Sequence, residues 1–292
     1  MPTYNEGKRL ATAVASVLTQ SFSALELLIV DDASTDAIDV VLSAINGDQR
    51  CRLIRRAENK GSATARNTGI SAAASDKFIA FLDSDDVWYP QKLERQLAWM
   101  ESQRQPVACT GYRLFTPFHP NGEVRLSNCV TLRDLLSGCG VSPGSTMVVE
   151  RTLLEKVGPF DESLRRLEDW EWLLRCAQDT PIAVVPEVLA VVNNGPREKH
   201  SMESVRDSAE NIENYAVAGR YGLNKREMNL LRSALHGEVA AAAFRHKCYR
   251  SALFSLLRSL NYHPFKRVSY FYRIAQALKG DALALLSRKD RR

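Results

Sequence analysis

Lys77-Phe78-Ile79-Ala80-Phe81-Leu82 runs directly into Asp83-Ser84-Asp85-Asp86. The first half reads as a short buried strand, and its C-terminal tip then carries three carboxylates within four residues. Carboxylates crowded this closely repel one another unless a cation neutralises them. In an open α/β sheet the C-terminal ends of the strands are where ligands bind. Oxygen ligands of this kind suit Mg²⁺, which takes one or two carboxylates and leaves its other positions to water and substrate phosphates. Helix capping is the alternative, with Asp85 or Asp86 at the start of a helix that Pro90 opens.

Working outward, the first half of the chain alternates strand-like and helix-like stretches. Leu25 to Val30 is a buried strand and Arg52-Leu53-Ile54 a weaker one, with Phe78 to Leu82 the third. Helical patterns cover 7–18, 36–45 and the alanine-rich 62–74. This alternation predicts a parallel sheet with helices on both faces. From about 106 the pattern changes. Strands are expected over 106–115, 145–149, 182–185 and 188–192, with a loop around 117–122 and helices near 131–137, 151–157 and 169–177. Beyond 203 the chain reads as helix throughout, with breaks near 221–224, 237, 261–264 and 280. The domain division expected is 1–202, an α/β domain, and 203–292, a basic helical region. Pro2-Thr3-Tyr4-Asn5 reads as the loop after a first strand, yet only Met1 precedes it. A central strand would need about five more apolar residues there, so that strand is expected to be missing or to lie upstream.

Apolar residues make up 45% of the 292, enough for a substantial core. No run of about 18 apolar residues marks a spanning helix, and the N-terminus lacks the basic-then-apolar signature of a secretory signal. The six cysteines (51, 109, 129, 139, 176, 248) show neither Cys-x-x-Cys pairing nor zinc spacing; they suit reduced, buried thiols in the cytosol. The net charge of +5 is unevenly spread. Residues 245–292 hold 12 Lys/Arg and 2 Asp/Glu, a net of +10, and the remainder is net −5. Leu, Phe, Tyr and Ile recur at helical spacing between those basic residues. One reading is a peripheral membrane contact through 245–292 on anionic lipid. The other is a helical subdomain with an inward apolar stripe and solvated charges. Nothing beside the basic and aromatic residues supports a nucleic-acid partner.

Five segments stand in order: Pro2-Thr3-Tyr4-Asn5-Glu6; Val30-Asp31-Asp32-Ala33-Ser34-Thr35-Asp36; Asn59-Lys60-Gly61 with Ala65-Arg66-Asn67 and Gly69; Asp83-Ser84-Asp85-Asp86; and Glu168-Asp169-Trp170. In this order and spacing they resemble glycosyltransferase family 2, inverting enzymes with a GT-A fold, over about residues 2–200. The missing first strand is the main departure. The resemblance implies a Rossmann-like mixed sheet flanked by helices, with a C-terminal all-helical extension. It implies a cytoplasmic, metal-dependent enzyme, peripheral to the inner membrane face if the basic region docks there. Such an enzyme moves a sugar from a nucleoside-diphosphate donor to a hydroxyl of a glycan or lipid-linked acceptor in polysaccharide synthesis.

The same resemblance implies the site residues. Tyr4 covers the face of the base, Pro2 and Thr3 shape that loop, and Glu6 lies near the ribose. Asp32 accepts a hydrogen bond from a base N–H, and Arg66 reaches the diphosphate with its fixed fork of donors. Asp83 goes to the ribose, and Asp85 goes to Mg²⁺ or Mn²⁺, with His200 as a further metal or diphosphate contact. Asp169 is the general base that takes the acceptor's proton as it attacks. Glu168 contacts or supports the acceptor, and Trp170 stacks on an acceptor sugar. Each has a structural alternative: helix capping for Asp31, Asp32, Asp36 and Asp169, an ordinary surface position for Arg66, and core packing for Trp170 and Trp172. Asn59 and Gly61 read as turn-shaping residues. A non-catalytic nucleotide-binding or scaffold protein that keeps the fold is the rival reading. A phospho-receiver domain built on Asp31-Asp32 would leave the later acidic segments without a role.

Overall fold

In a computed structural model of the chain, residues 1–36, 47–74, 77–115, 122–124, 129–193 and 201–262 are described. They divide into two compact units, Met1–Leu135 with Cys139–Arg197, and Leu136–Gly138 with Glu198–Arg292.

The first unit holds two sheets. In the smaller, β1 (Pro2–Thr3), β2 (Leu27–Asp31) and β3 (Cys51–Arg55) lie parallel in that order, with Pro2 opposite Val30 and Ile29 opposite Leu53. All five residues of β2 are buried, as befits a parallel strand covered on both faces. Helix α1 (Lys8–Leu18) buries Leu10, Ala13, Val14 and Val17, a spacing that puts one apolar stripe against the core. Helix α2 (Ser62–Ala72) follows β3.

The larger sheet is mixed. Its main path runs β4 (Phe78–Ala80), β9 (Val148–Glu150), β6 (Val107–Phe115), β10 (Ile182–Asn193) and β5 (Val87–Trp88); β7 (Gly122–Val124) pairs with β6 and β8 (Cys129–Val130) with β10. Only β6 and β10 are parallel; the other pairs are antiparallel. Helices α3 (Lys92–Gln103), α4 (Leu132–Leu136), α5 (Pro143–Thr146), α6 (Arg151–Val157) and α7 (Glu168–Cys176) connect these strands. One buried cluster draws on Leu10 and Val14 of α1, Ile29 of β2, Leu82, Trp88, Leu93, Met100, Ala108, Val148 and Val185. The two sheets therefore share a core.

Several sequence expectations change. Pro2 and Thr3 form a strand rather than a loop: the Met1 amine donates to Leu28 O at 2.9 Å, and the amide of Asp32 donates to Thr3 O at 2.9 Å. The strand expected over 78–82 pairs only over Phe78–Ala80, and antiparallel to β9, so it does not extend the parallel sheet. Residues 145–149 are a helical turn followed by a strand. The two strands expected over 182–192 are one, and its register shifts between Val185 and Val188. Pro186 lies in that gap and has no N–H for the ladder. The helix expected over 36–45 and the loop at 117–122 fall almost wholly outside the described residues.

The second unit is helical: α8 (Met202–Val217), α9 (Lys225–Arg245) and α10 (Tyr249–Tyr262). Ser201 Oγ caps α8 by accepting from the Ser204 amide. Asn224 and Glu227 form a reciprocal capping box on α9. No break occurs at 237; Gly237 is buried inside α9. Ser233 and Ser259 exchange hydroxyl-to-carbonyl bonds of 2.9 and 2.7 Å where α9 meets α10. No helix among the described residues is long and apolar enough to cross a membrane. The breaks expected at 263–264 and 280 lie outside the described residues.

Candidate active site

The end of β2 and the start of α2 form one side of the site. Asp32 is 3% exposed. Its carboxylate accepts from the amides of Lys60 (3.2 Å) and Gly61 (2.7 Å) and from Arg56 Nη1 (2.8 Å). It holds the loop that enters α2. Three of its roughly four lone-pair sites are taken, which leaves one for a ligand. Asp31 is fully buried against Arg55 Nε and the Ser34 amide. Asp36 Oδ2 accepts from the amide of Gly7 at the start of α1. Asn5, at φ +52°, takes the amides of Thr35 and Asp36 on Oδ1. These bonds clasp the loop bearing Tyr4 and Glu6 to the loop after β2. Tyr4 is half-buried there, and Glu6 pairs with Arg9 at 3.5 Å. Buried Thr3 leaves its Oγ1 without a partner.

The acidic turn follows β4. The Asp86 amide closes it on Asp83 O at 3.1 Å. The helix beyond starts only at Lys92, after β5, and has no side-chain cap, so capping by Asp85 or Asp86 does not occur. Asp86 is 1% exposed. It accepts from Ser145 Oγ and from the Asn193 amide (2.7 Å), while Ser145 Oγ accepts from the Asp83 amide at 3.1 Å. Burial, then the charges of Asp83 and Asp85, push the Asp86 carboxyl well above its usual range. The turn thus carries an electrostatic demand that a divalent cation would relieve. Among the described residues no three His, Cys, Asp or Glu side chains form a ready-made metal cage. His200 lies outside the described residues.

Arg66 joins this turn to the remaining acidic segment. It is 6% exposed, so it is no surface arginine, and its Nη2 donates to Asp83 Oδ1 (2.7 Å) and its Nη1 to Glu168 Oε1 (2.6 Å). Its Nε has no partner. The Phe160 ring lies beneath it at 5.6 Å. Burial works against this charge, but Asp83, Glu168 and Asp169 outweigh it and hold the guanidinium more firmly protonated than usual. Two of its five N–H donors are committed to carboxylates, so Nε and one hydrogen on each terminal nitrogen remain for a further acceptor. Ser62 Oγ also donates to Glu168.

Glu168 and Asp169 open α7, just after Leu167 at φ 62°. A residue in the left-handed region does not belong to a right-handed helix, so α7 begins after it. Asp169 lies inside the first turn and is not the cap. Its Oδ1 accepts from the Trp170 amide at 2.8 Å. Burial and the neighbouring Glu168 raise its pKa to about 6; Arg66 opposes them and Asp83 adds to them. A carboxyl poised there is ionised at neutral pH and basic enough to accept a proton. Trp170 and Trp172 are 1% and 0% exposed, and their indole N–H groups donate to Leu135 O and Gly158 O. Trp170 offers no face to a sugar in this structure and belongs to the core.

The structure thus brings together Asp83, Asp85, Arg66, Glu168 and Asp169 from three separate segments, and places Thr3 and Asp32 at the end of β1 and β2. Sequence reasoning missed Ser62, Gly144 and Ser145. A Cβ on Gly144 would lie 2.7 Å from Asp83 Oδ2 and 2.9 Å from Arg66 Nη2. The Pro143-Gly144 pair is the turn signal that marks the spot. The hollow bounded by Trp99, Gln105, Cys129, Pro181, Val184 and Pro186 contains none of these groups.

Comparison with known proteins identifies relatives of the chain. Escherichia coli WfgD, named a UDP-Glc:alpha-D-GlcNAc-diphosphoundecaprenol beta-1,3-glucosyltransferase, is 34% identical over 185 residues, spanning 63% of this chain and 71% of WfgD. Bacillus subtilis TuaG, named a putative teichuronic acid biosynthesis glycosyltransferase, is 40% identical over 114 residues, 39% of this chain and 45% of TuaG. The structure of S. aureus TarS with UDP-GlcNAc superimposes with a TM-score of 0.58 at 19% identity over 87% of each chain. The Pyrobaculum calidifontis mannosyltransferase PcManGT, solved with GDP-Man and Mn2+, gives 0.58 at 20% identity over 97% of this chain and 79% of its own. Both share the GT-A fold expected from the sequence. Residues 1–154 match Glycosyl transferase family 2, and the chain belongs to that family of glycosyltransferases.

Proposed function

We propose that this glycosyltransferase moves a sugar from a nucleoside-diphosphate donor to a hydroxyl of a lipid-linked or growing glycan acceptor, with inversion and with a divalent cation. The observation that carries this reading is Arg66, which ties Asp83 of the acidic turn to Glu168 beside Asp169. Inversion is a single displacement, so a base and a leaving diphosphate must face one anomeric carbon from opposite sides. The Arg66 bridge supports this reading because it holds the acidic turn and the start of α7 together.

On the donor side, Tyr4 covers the base, Asp32 offers its remaining lone pair to a base N–H, and Thr3 Oγ1 gains the partner it lacks. Pro2 holds that strand in place, Glu6 lies by the ribose, and Asp83 takes a ribose hydroxyl. Asp85, with His200, would hold Mg²⁺ or Mn²⁺, which would supply positive charge against the departing diphosphate. On the acceptor side, Asp169 removes the hydroxyl proton and Glu168 supports the acceptor. WfgD's named acceptor motivates the lipid-linked class. Of the cysteines expected to be buried, Cys109 and Cys176 are buried, whereas Cys129 and Cys248 are exposed.

The test is calorimetric titration with UDP, GDP and dTDP, each with and without Mn²⁺, on the native chain and on Asp85→Ala. Metal-dependent binding of one nucleotide, lost in the variant, is the expected result. A folded chain that binds none of the three would return the reading to a non-catalytic scaffold. Full metal-dependent turnover in Asp85→Ala would remove Asp85 from the metal site.

A further inference from the structure

The second unit has an unusual outer face. Six large apolar side chains are strongly exposed among the described residues, and four of them lie on α10: Tyr249, Leu253, Phe254 and Leu257, at 48, 58, 59 and 56%. At about 100° per residue these four span about 140° of the helix surface. The opposite side is occupied, because Ala252, Ser255, Leu256 and Ser259 are buried. Helix α10 is therefore already packed, and its exposed stripe is a second apolar surface. Arg250 falls within the stripe, and Arg258 at its edge lays its guanidinium 4.8 Å from the Phe254 ring centre. From Arg245 to Tyr262 the sequence has four Lys/Arg and no Asp or Glu.

We propose that this face of α10 lies in the interface of an anionic lipid bilayer, Leu253, Phe254 and Leu257 entering the acyl boundary and the arginines meeting the headgroups. An apolar arc flanked by cations is the pattern of an interfacial helix, and anionic headgroups attract such a segment. Charge also argues against the other occupants. A second copy would set the same cationic face against itself. Residues 263–292 are themselves cationic, with eight Lys/Arg against two Asp, and covering the stripe with them would again bring like charges together. Docking of this kind restricts the enzyme to the surface where a lipid-linked acceptor resides, but it depends on neither donor nor acceptor.

The test is co-sedimentation of the full chain with vesicles of phosphatidylcholine alone and of equal parts phosphatidylcholine and phosphatidylglycerol. The native chain sediments with the anionic vesicles and hardly with the neutral ones, and added salt weakens the binding. Joint replacement Leu253→Ser, Phe254→Ser and Leu257→Ser lowers that partition by more than about tenfold, with unchanged far-UV circular dichroism and thermal midpoint. Arg250→Glu with Arg258→Glu removes the preference for phosphatidylglycerol. Absence of binding by the native chain overturns the proposal. So does unchanged binding by the triple serine variant. A triple variant that loses thermal stability but keeps vesicle binding assigns the stripe to the chain itself, and one that merely converts a dimer to a monomer assigns it to a second copy. Either result overturns the lipid assignment.

Discussion

Asp169 holds its proton up to about pH 6 in the folded chain, against 3.8 for an unperturbed aspartate. Its contribution to stability is present below about pH 4 and is lost as pH rises through 6, because the unfolded chain ionises first. At pH 7.5 the ionised group is a net burden on the fold. Asp169→Asn should therefore raise the thermal midpoint there by about 2–4 °C while transfer falls about 10²- to 10⁴-fold with donor affinity retained. A carboxylate serving only the fold would do the reverse, lowering the midpoint. In the native chain kcat/KM should rise with pH through an apparent pKa near 6, and that limb should vanish in the variant. Gly144 makes a second prediction at this scale. An added methyl must move the Asp83 carboxylate off Arg66, and a side-chain end can yield without unfolding the chain. Gly144→Ala should raise donor KM by about tenfold, equivalent to about 1.4 kcal/mol, with little change in melting. An unaltered KM would show that the Asp83–Arg66 contact does not shape donor binding. The acidic segments stood out in the sequence because carboxylates crowded at a strand end repel one another. Gly144, Ser62 and Ser145 were not, since their roles arise from distances between remote segments. Trp170 was misread as a sugar contact because an aromatic beside an acidic pair fits either role until burial is known.

Helix α7 positions the proposed base, and Arg175 fixes that helix. Its Nε takes both oxygens of Glu171 at 3.0 Å, Nη1 donates to Val157 O (2.6 Å) and Nη2 to Pro159 O (2.8 Å). Glu171 is fully buried, so Arg175→Ala breaks a buried ion pair and removes a donor from each of two carbonyls. The expected loss is about 3–5 kcal/mol of unfolding free energy in urea, with transfer reduced in the remaining folded protein. Adding Glu171→Gln should recover part of that loss, because the stranded charge goes with it. A double variant no more stable than Arg175→Ala would place the cost in the carbonyls instead. Much of the element pattern was legible: the helical stretches at 7–18, 62–74, 151–157 and 169–177 fall within about two residues of α1, α2, α6 and α7. Sheet partners were not legible. Phe78–Ala80 looks like any buried parallel strand, but its partner β9 comes from seventy residues later in the chain. The interruption at Pro186 likewise reads as two strands, although β6 carries the ladder across it.

Every residue assigned to donor, metal or base in the described chain lies between Pro2 and Asp169, inside the first unit, and the family match ends at 154. The second unit supplies the exposed apolar stripe, and residues 245–292 carry the net +10 against −5 elsewhere. The uneven charge was legible from composition, but only the packing of α9 against α10 shows which apolar side chains are spent on the core and which are left outside. On these proposals chemistry and location fall on different parts of the chain, and a chain ending at 201 should separate them. It should melt cooperatively, bind its nucleoside diphosphate within about threefold of the full chain's Kd, and fail to sediment with anionic vesicles. An intramolecular acceptor-surface effect would then appear only with membrane-borne acceptor, where confinement raises effective concentration; a water-soluble acceptor analogue should be used equally well by both chains. If the shortened chain folds but loses nucleotide affinity, residues 202–292 contribute to donor binding and the division of labour is wrong. If it keeps full activity on membrane-borne acceptor, the basic helical region has some other task than bringing the enzyme to lipid.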